Sequence, residues 1–406
     1  MNRMQTTLIN EVPVIFFERK DAPLYIRVIF QAGARYDEKE GTAHFLEHML
    51  ASGSAKFSTK DLLAEYIENV GGQFDLFTNH DTITLNAQVA DSSDLQIAID
   101  ILDQMINHSL FSPESLEKER GSIFSEQANR KSNQKEFVVS VYQKLFFQNT
   151  SLEKSILGTK ESLSSISLED LLKFKEKNIT KNRMSVIVAG DIEIEILKKE
   201  LEKILPKERG EEISLEKPLP IIKDKLVDLE NYPSKQASLI IGFRTRNFTL
   251  KDKVCGDICA AYLGGGRASL LIKELRYKKG LVYDIFAYNI NHPDRGTFTI
   301  RTNCESDNFS NVLKKIKEEV EKFIQEGITE EKFSFIKSKI EKTFKIKLQT
   351  SKSWVEQNEK FLVSDYILKL NQITTEDIRE YLVKNLNPEE MYIAVCGPES
   401  LKESLD

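Results

Sequence analysis

Apolar residues near the N-terminus fall in short β-branched and aromatic stretches. Residues 12–19 (VPVIFFER) and 24–33 (LYIRVIFQAG) predict strands. The next stretch, GTAHFLEHMLASGS (41–54), predicts a helix. Ser58-Thr59-Lys60-Asp61 caps a second helix, which runs to about Val70 and is closed by Gly71-Gly72. Strands are expected at about 73–78 and 82–90, the second alternating in TITLNAQV, and residues 92–110 make a long amphipathic helix. Ser112-Pro113-Glu114 opens another helix with a capping serine, a proline at the first position and an early acid. That helix carries EKERGSIFSEQANR; more helix follows to about Lys177, then the strand MSVIVAGD.

The pattern repeats. Residues 167–190 (SLEDLLKFKEKNITKNRMSVIVAG) align without a gap on 374–397 (TTEDIREYLVKNLNPEEMYIAVCG), sharing Glu169/Glu376, Asp170/Asp377, Asn178/Asn385 and Gly190/Gly397. A helix, turn and strand closing each half predicts two related α+β domains. Residues 206–235 hold four prolines and many charges, as a linker would. The expected division is therefore a domain over 1–205, a linker over 206–235 and a homologous domain over 236–406.

Composition narrows the class without choosing the chemistry. The 406 residues are 40% hydrophobic and 30% charged, in the range of a globular chain, and the net charge is -6 with the signs interspersed. That gives no electrostatic case for nucleic acid or an anionic membrane. MNRMQTTLINEVPV has neither a signal-type apolar core nor an arginine-rich transit pattern, and no apolar run approaches the roughly 20 residues of a membrane span. Cys255, Cys259, Cys304 and Cys396 form no disulfide framework and read as buried thiols. The expectation is a soluble, cytoplasmic protein.

The chemistry concentrates in the first predicted helix. His44 and His48 share a helical face, with Glu47 on the same side. Two imidazoles and a carboxylate there are what a zinc hydrolase needs: two nitrogen ligands and a base beside the metal-bound water. A third ligand has to come from another element. His80 and His108 have no patterned partner. Glu119 and Glu126 lie two turns apart on one helix, so one can bind while the other supports it, and the spacing does not distinguish them. The second half has no such set: DKVCGDICAAYLGGG contains no histidine or glutamate, and Thr343 falls where Glu126 would be if Ser112 is set on Thr329. One metal site per chain is expected.

The order H-x-x-E-H is the inverzincin signature. Taken with the helix, Gly71-Gly72, an aromatic-threonine strand, and Glu119-Arg120 with a glutamate six beyond the arginine, the chain resembles the M16 (insulinase/pitrilysin) metallopeptidases. In length and motif it is similar to the short bacterial and mitochondrial-processing-peptidase-like group. The resemblance implies an α+β fold of two related α/β-sandwich domains, each an antiparallel-rich sheet with helices packed on it. It implies His44, His48 and Glu126 as zinc ligands, Glu47 as general base and Glu119 as a carboxylate supporting the ligands. It also makes residues 71–85 an edge strand to which a peptide adds through its main chain, with Phe74, Asp75, Leu76, Phe77 and Thr78 touching substrate. Asp75-Leu76 stands where the family usually has Asn-Ala, and an aspartate there would disfavour acidic side chains.

In the second half, LGGGRASLLIKELRYKKGLVYDIFA (263–287) resembles a family segment whose arginine and tyrosine match Arg276 and Tyr283; Tyr277 replaces the usual glutamate. The resemblance implies that this pair binds the substrate carbonyl and stabilises the oxyanion. Gly264-Gly265-Gly266 lacks the GKS/T of a phosphate loop and reads as helix termination. The expected function is a zinc endopeptidase acting on peptides or small unfolded proteins, as a homodimer or with an inactive paralogue. The alternatives are a non-hydrolytic peptide-binding or scaffold subunit and, more weakly, a zinc hydrolase of non-peptide amides.

Overall fold

The computed structural model describes residues 4–206, 208–213, 226–245 and 249–405. Strands β1 (Met4–Ile9) and β2 (Val12–Glu18) form a hairpin whose two turn residues, Asn10 and Glu11, have φ of 46° and 74°. Positive φ at both positions is what a tight, right-twisted hairpin requires. Strand β1 was not among the elements read from the sequence. Strand β3 (Leu24–Phe30) is buried on both faces and leads to α1 (Thr42–Leu50) and α2 (Lys60–Glu68). Thr59 stands at the α2 N-cap, but its hydroxyl accepts no helix N–H. Strands β4 (Gln73–Thr78) and β5 (Ile83–Val89) follow, then α3 (Leu95–Asn107), α4 (Pro113–Ser132) and α5 (Gln134–Phe146). Ser112 Oγ accepts the Ser115 N–H at 3.0 Å, which caps α4 as its sequence suggests. The half closes with α6 (Lys160–Ser165), α7 (Leu168–Asn178), β6 (Met184–Gly190) and α8 (Ile194–Leu201).

The second half runs β7 (Val227–Asn231), β8 (Gln236–Thr245), α9 (Leu250–Leu263), β9 (Ile285–Asn291) and β10 (Gly296–Glu305). It continues with α10 (Phe309–Glu326), α11 (Glu330–Lys347), α12 (Ser351–Gln357), α13 (Val363–Gln372), α14 (Thr375–Asn385) and β11 (Tyr392–Gly397). The sheets have the orders β1-β2-β6-β3-β5-β4 and β7-β11-β8-β10-β9. Apart from β1 they correspond strand for strand: β2 and β7 run parallel to β6 and β11, and the other neighbours are antiparallel. The repeat is α7-β6 and α14-β11. Both helices open with a capping box, Ser167 with Asp170 and Thr374 with Asp377. Both end on a buried asparagine, Asn178 or Asn385, that donates to the carbonyl one turn back at 2.9 and 3.0 Å. The fold is thus two related α/β sandwiches.

The division of the chain is less simple than 1–205, 206–235 and 236–406. Among the described residues one compact unit takes those up to Ala128, those between Lys154 and Ser214, and Lys345–Lys360. The other takes Asn129–Glu153, those between Leu215 and Phe344, and Phe361 onward. Helix α5 belongs to the second unit because Val138, Tyr142, Leu145 and Phe146 share a core with Ile240, Tyr392 and Ala394. Helix α12 belongs to the first, where Trp354 packs on Phe17 with ring centroids 5.4 Å apart and Arg27 pairs with Glu359 at 2.6 Å. Part of the expected linker lies outside the described residues, and 227–231 of it is strand β7, paired with β11.

All four cysteines are buried and free, and burial pushes the thiols of Cys255, Cys304 and Cys396 up to about 12. Among the described residues no helix is long and apolar enough to cross a membrane.

Candidate metal centre

Helix α1 starts where a glycine lets the chain turn. Gly41 has φ 91°, in the left-handed region, and supplies no side chain to cap the helix. The cap comes from outside: buried Asp37 accepts the N–H groups of Gly41 and Ala43, both at 2.8 Å. Ala43, Phe45, Leu46, Met49 and Leu50 bury one face of α1 in the first core. That amphipathic packing leaves His44 and His48 together on the other side, with ring centroids 4.7 Å apart. Helix α4 likewise sends Leu116 and Ile123 into the core and turns Glu119 and Glu126 toward the histidines.

The two glutamates take different positions. Glu119 is 6% exposed, and its Oε2 accepts from His48 Nδ1 at 2.9 Å. Burial alone would raise its pKa, but the hydrogen bond and charge of His48, with Lys60 and Lys118, hold it below the ordinary carboxylate value. That contact sets the proton on Nδ1 and leaves the Nε2 lone pair for a ligand bond. Glu126 Oε2 lies 3.5 Å from His44 Nε2 and 3.9 Å from His48 Nε2. The three ligand atoms all fall within 4.8 Å of one another, and among the described residues this is the only such group. Zinc bonds of about 2.0–2.2 Å put tetrahedral ligand atoms roughly 3.4 Å apart, so the donor set fits zinc with little rearrangement. Glu126 thus faces the Nε2 atoms of both histidines, whereas Glu119 meets the other nitrogen of one ring.

Glu47 stands beside this set, its Oε2 4.0 Å from His44 Nε2. Burial raises its pKa, and Glu126 adds to the effect; the Thr78 hydroxyl, donating to Oε2 at 2.8 Å, and His48 oppose it. Thr78 ends β4, the edge of the first sheet, which pairs only with β5 among the described strands. Phe74 and Leu76 join Glu47, His48 and Ile67 around a cavity of about 260 Å³. Phe77 is 59% exposed and lines a different cavity of about 500 Å³ with Arg27, Lys352 and Glu356. Asp75 does not act as a bare negative charge: Lys352 Nζ is 3.4 Å from its carboxylate, and Asn86 Nδ2 also donates to it. His80 and His108 lie outside the metal set, near the Lys154 carbonyl and Asp103 respectively.

In the second unit, Arg276 lies in a π-helical stretch over Ile272–Tyr277, its guanidinium carbon 4.8 Å from the Tyr283 ring centroid and 5.7 Å from that of Tyr277. Tyr283 is 78% exposed. Arg276 thus lies against the rings of both Tyr283 and Tyr277. Helix α9 ends at Gly264, where a Cβ would lie 2.3 Å from the Ala287 nitrogen, in keeping with the helix-termination reading of the three glycines.

Residues 17–160 match the family model described as "Insulinase (Peptidase family M16)", and 165–340 match "Peptidase M16 inactive domain". An uncharacterized zinc protease of Rickettsia felis is 30% identical over 309 residues, covering 75% of this chain and 74% of its own. The chain belongs to peptidase family M16. It is of the short type: the β subunit of the mitochondrial-processing peptidase of Bos taurus is 26% identical over 391 residues, covering 90% of this chain and 78% of the subunit. A solved protease from Helicobacter pylori superposes with a TM-score of 0.89 at 17% identity over 98% of this chain and all of its own. The family model named inactive begins beyond His44, His48 and Glu126.

Two functional features escaped the sequence reading. The external cap from Asp37 had a signal, an aspartate just upstream of a helix-opening glycine. The Thr78–Glu47 hydrogen bond had none, because it joins a strand to a helix.

Proposed function

We propose that this M16 chain is a zinc endopeptidase that hydrolyses peptides or small unfolded proteins, one zinc per chain, with Glu47 as general base. The observation that carries the reading is the convergence of His44, His48 and Glu126 beside a half-buried, Thr78-bonded Glu47 at the edge strand β4. Zinc held by these residues supplies Lewis acidity at the scissile carbonyl and brings the pKa of water toward about 7. The rest falls to the chain. Glu119 fixes the orientation of the His48 ring. Glu47, its proton affinity raised by burial and tempered by Thr78, takes the proton of the attacking water and returns it to the leaving amine nitrogen. An extended peptide pairs with β4 by main-chain hydrogen bonds, with Phe74, Asp75, Leu76 and Phe77 beside its side chains, which suits broad specificity.

Arg276 and Tyr283 are the proposed donors to the carbonyl oxygen as charge develops on it; their stacking supports treating them as one unit. A chain carrying both sets needs only a second copy of itself, so a cytoplasmic homodimer is the proposed assembly, with an inactive paralogue as the alternative partner. A purely scaffolding role leaves the Thr78–Glu47 arrangement without use. The test is zinc content and cleavage of a quenched fluorescent peptide library, wild type beside Glu47→Gln. Cleavage by the wild type alone, with zinc in both, is expected; zinc in both and cleavage by neither, with or without a partner subunit, overturns the peptidase reading in favour of the scaffold.

A further inference from the structure

Glu119 and Glu126 are followed directly by Arg120 and Gln127, which share a second face of α4. Both donate to backbone carbonyls of one segment. Gln127 Nε2 donates to the carbonyls of Leu157 at 2.9 Å and Gly158 at 2.7 Å. Arg120 donates to the carbonyls of Leu163 and Ile166, the latter at 3.0 Å. The same segment grips the start of α1. Ser162 Oγ donates to the Glu40 carbonyl at 2.7 Å, and Lys154 Nζ donates to that of Asp37. Gly158, at φ 68°, touches Gly41: a Cβ on Gly41 would lie 2.9 Å from Gly158 Cα, and one on Gly158 would lie 2.5 Å from the Glu40 carbonyl oxygen.

The two ligand-bearing helices thus meet one stretch of backbone at residues next to the ligands. This matters most for Glu126. The buried residues of α4 are Leu116, Glu119, Arg120 and Ile123, so core packing ends before Glu126 is reached. His48 has Glu119 to hold its ring, whereas the Glu126 side chain is 43% exposed. Beyond Phe124, whose partly buried ring still packs on the first core, the two hydrogen bonds of Gln127 tie this part of the helix down.

We propose that residues 154–166 form a brace that sets the distance between α1 and α4, with Gln127 and Gly158 as positioning residues for the Glu126 ligand. This rests on the zinc reading above. The brace acts through backbone placement, so its loss changes how well three ligands close on one ion and leaves the ligands themselves in place.

The experiment is zinc affinity by chelator competition on the full chain, comparing wild type with Gln127→Met, which keeps the side-chain length and removes the donors. The apo-protein melting temperature and the visible spectrum of the cobalt(II)-loaded protein are read alongside. Expected is a rise in the zinc dissociation constant of about tenfold or more and an altered cobalt spectrum, with apo melting little changed. Gly158→Ala probes the other end of the brace in the same way; should it fail to fold, Gln127→Met still decides. Wild-type zinc affinity in Gln127→Met overturns the brace alone. A wild type that takes up no zinc overturns the metal reading and the brace with it.

Discussion

His48 Nδ1 and Glu119 Oε2 stand 2.9 Å apart, with the carboxylate 6% exposed and held below its ordinary pKa. The pair joins α1 to α4 and leaves the other ring nitrogen of His48 facing Glu126. Glu119→Gln keeps the shape and a weaker acceptor while removing the charge. It is expected to lower zinc affinity by roughly tenfold. Chelator competition checks this; unchanged affinity would show that α1 orients the ring without help.

Thr78 Oγ1, at the end of β4, donates to Glu47 Oε2, the proposed base, at 2.8 Å. Thr78→Val keeps the volume in a buried position and removes the donor. A hydrogen bond to a charged group contributes about 1.5–3 kcal/mol, so kcat/KM on a fluorogenic peptide is expected to fall by roughly tenfold or more. Zinc content should not change. A parallel loss of zinc would mean the residue supports the site as a whole.

Much of this was legible in the chain. From β2 onward the strand and helix order of the first half followed from periodicity, and the repeat at 167–190 and 374–397 pointed to two related sandwiches because the caps, the buried asparagine and the strand are local features. The candidate pair His44/His48 sits within one helix, so its spacing could be read from the sequence. What local pattern could not carry was which sheet a helix packs on. Where α5 and α12 pack depends on pairings hundreds of residues away, Trp354 with Phe17 and Leu145 near Tyr392. The pairing of Asp75 with Lys352 is of the same kind.

The reassignment of α5 has a measurable consequence. Leu145 is buried in the core it shares with Ile240 and Tyr392. Leu145→Ala is expected to destabilise the second unit by roughly 2–5 kcal/mol. Hydrogen exchange should quicken in β8 and β11 and stay slow in β3 and β6. Loss of protection confined to β3 and β6 would return α5 to the first unit.

Lys175, on α7, has its ammonium group 2.7 Å from Ser109 Oγ and 5.3 Å from the Phe111 ring centroid. Burial lowers its pKa to about 8. The unfolded chain holds this proton up to about pH 10.4, while the folded chain releases it near 8, so between these values the unfolded state binds more protons. Stability contributed by this site therefore rises with pH across that window; below about 8 the folded protein carries the full cost of a buried charge. Lys175→Met removes the charge and keeps the length. It should be more stable than wild type at pH 7 by roughly 1–3 kcal/mol, and the advantage should shrink as pH approaches 10. Urea titrations of both proteins at pH 7 and pH 10 check this, the difference between them cancelling the groups that titrate in common. A difference that is the same at both pH values would mean that Lys175 stays protonated in the fold, held by the Ser109 hydroxyl and the Phe111 ring face.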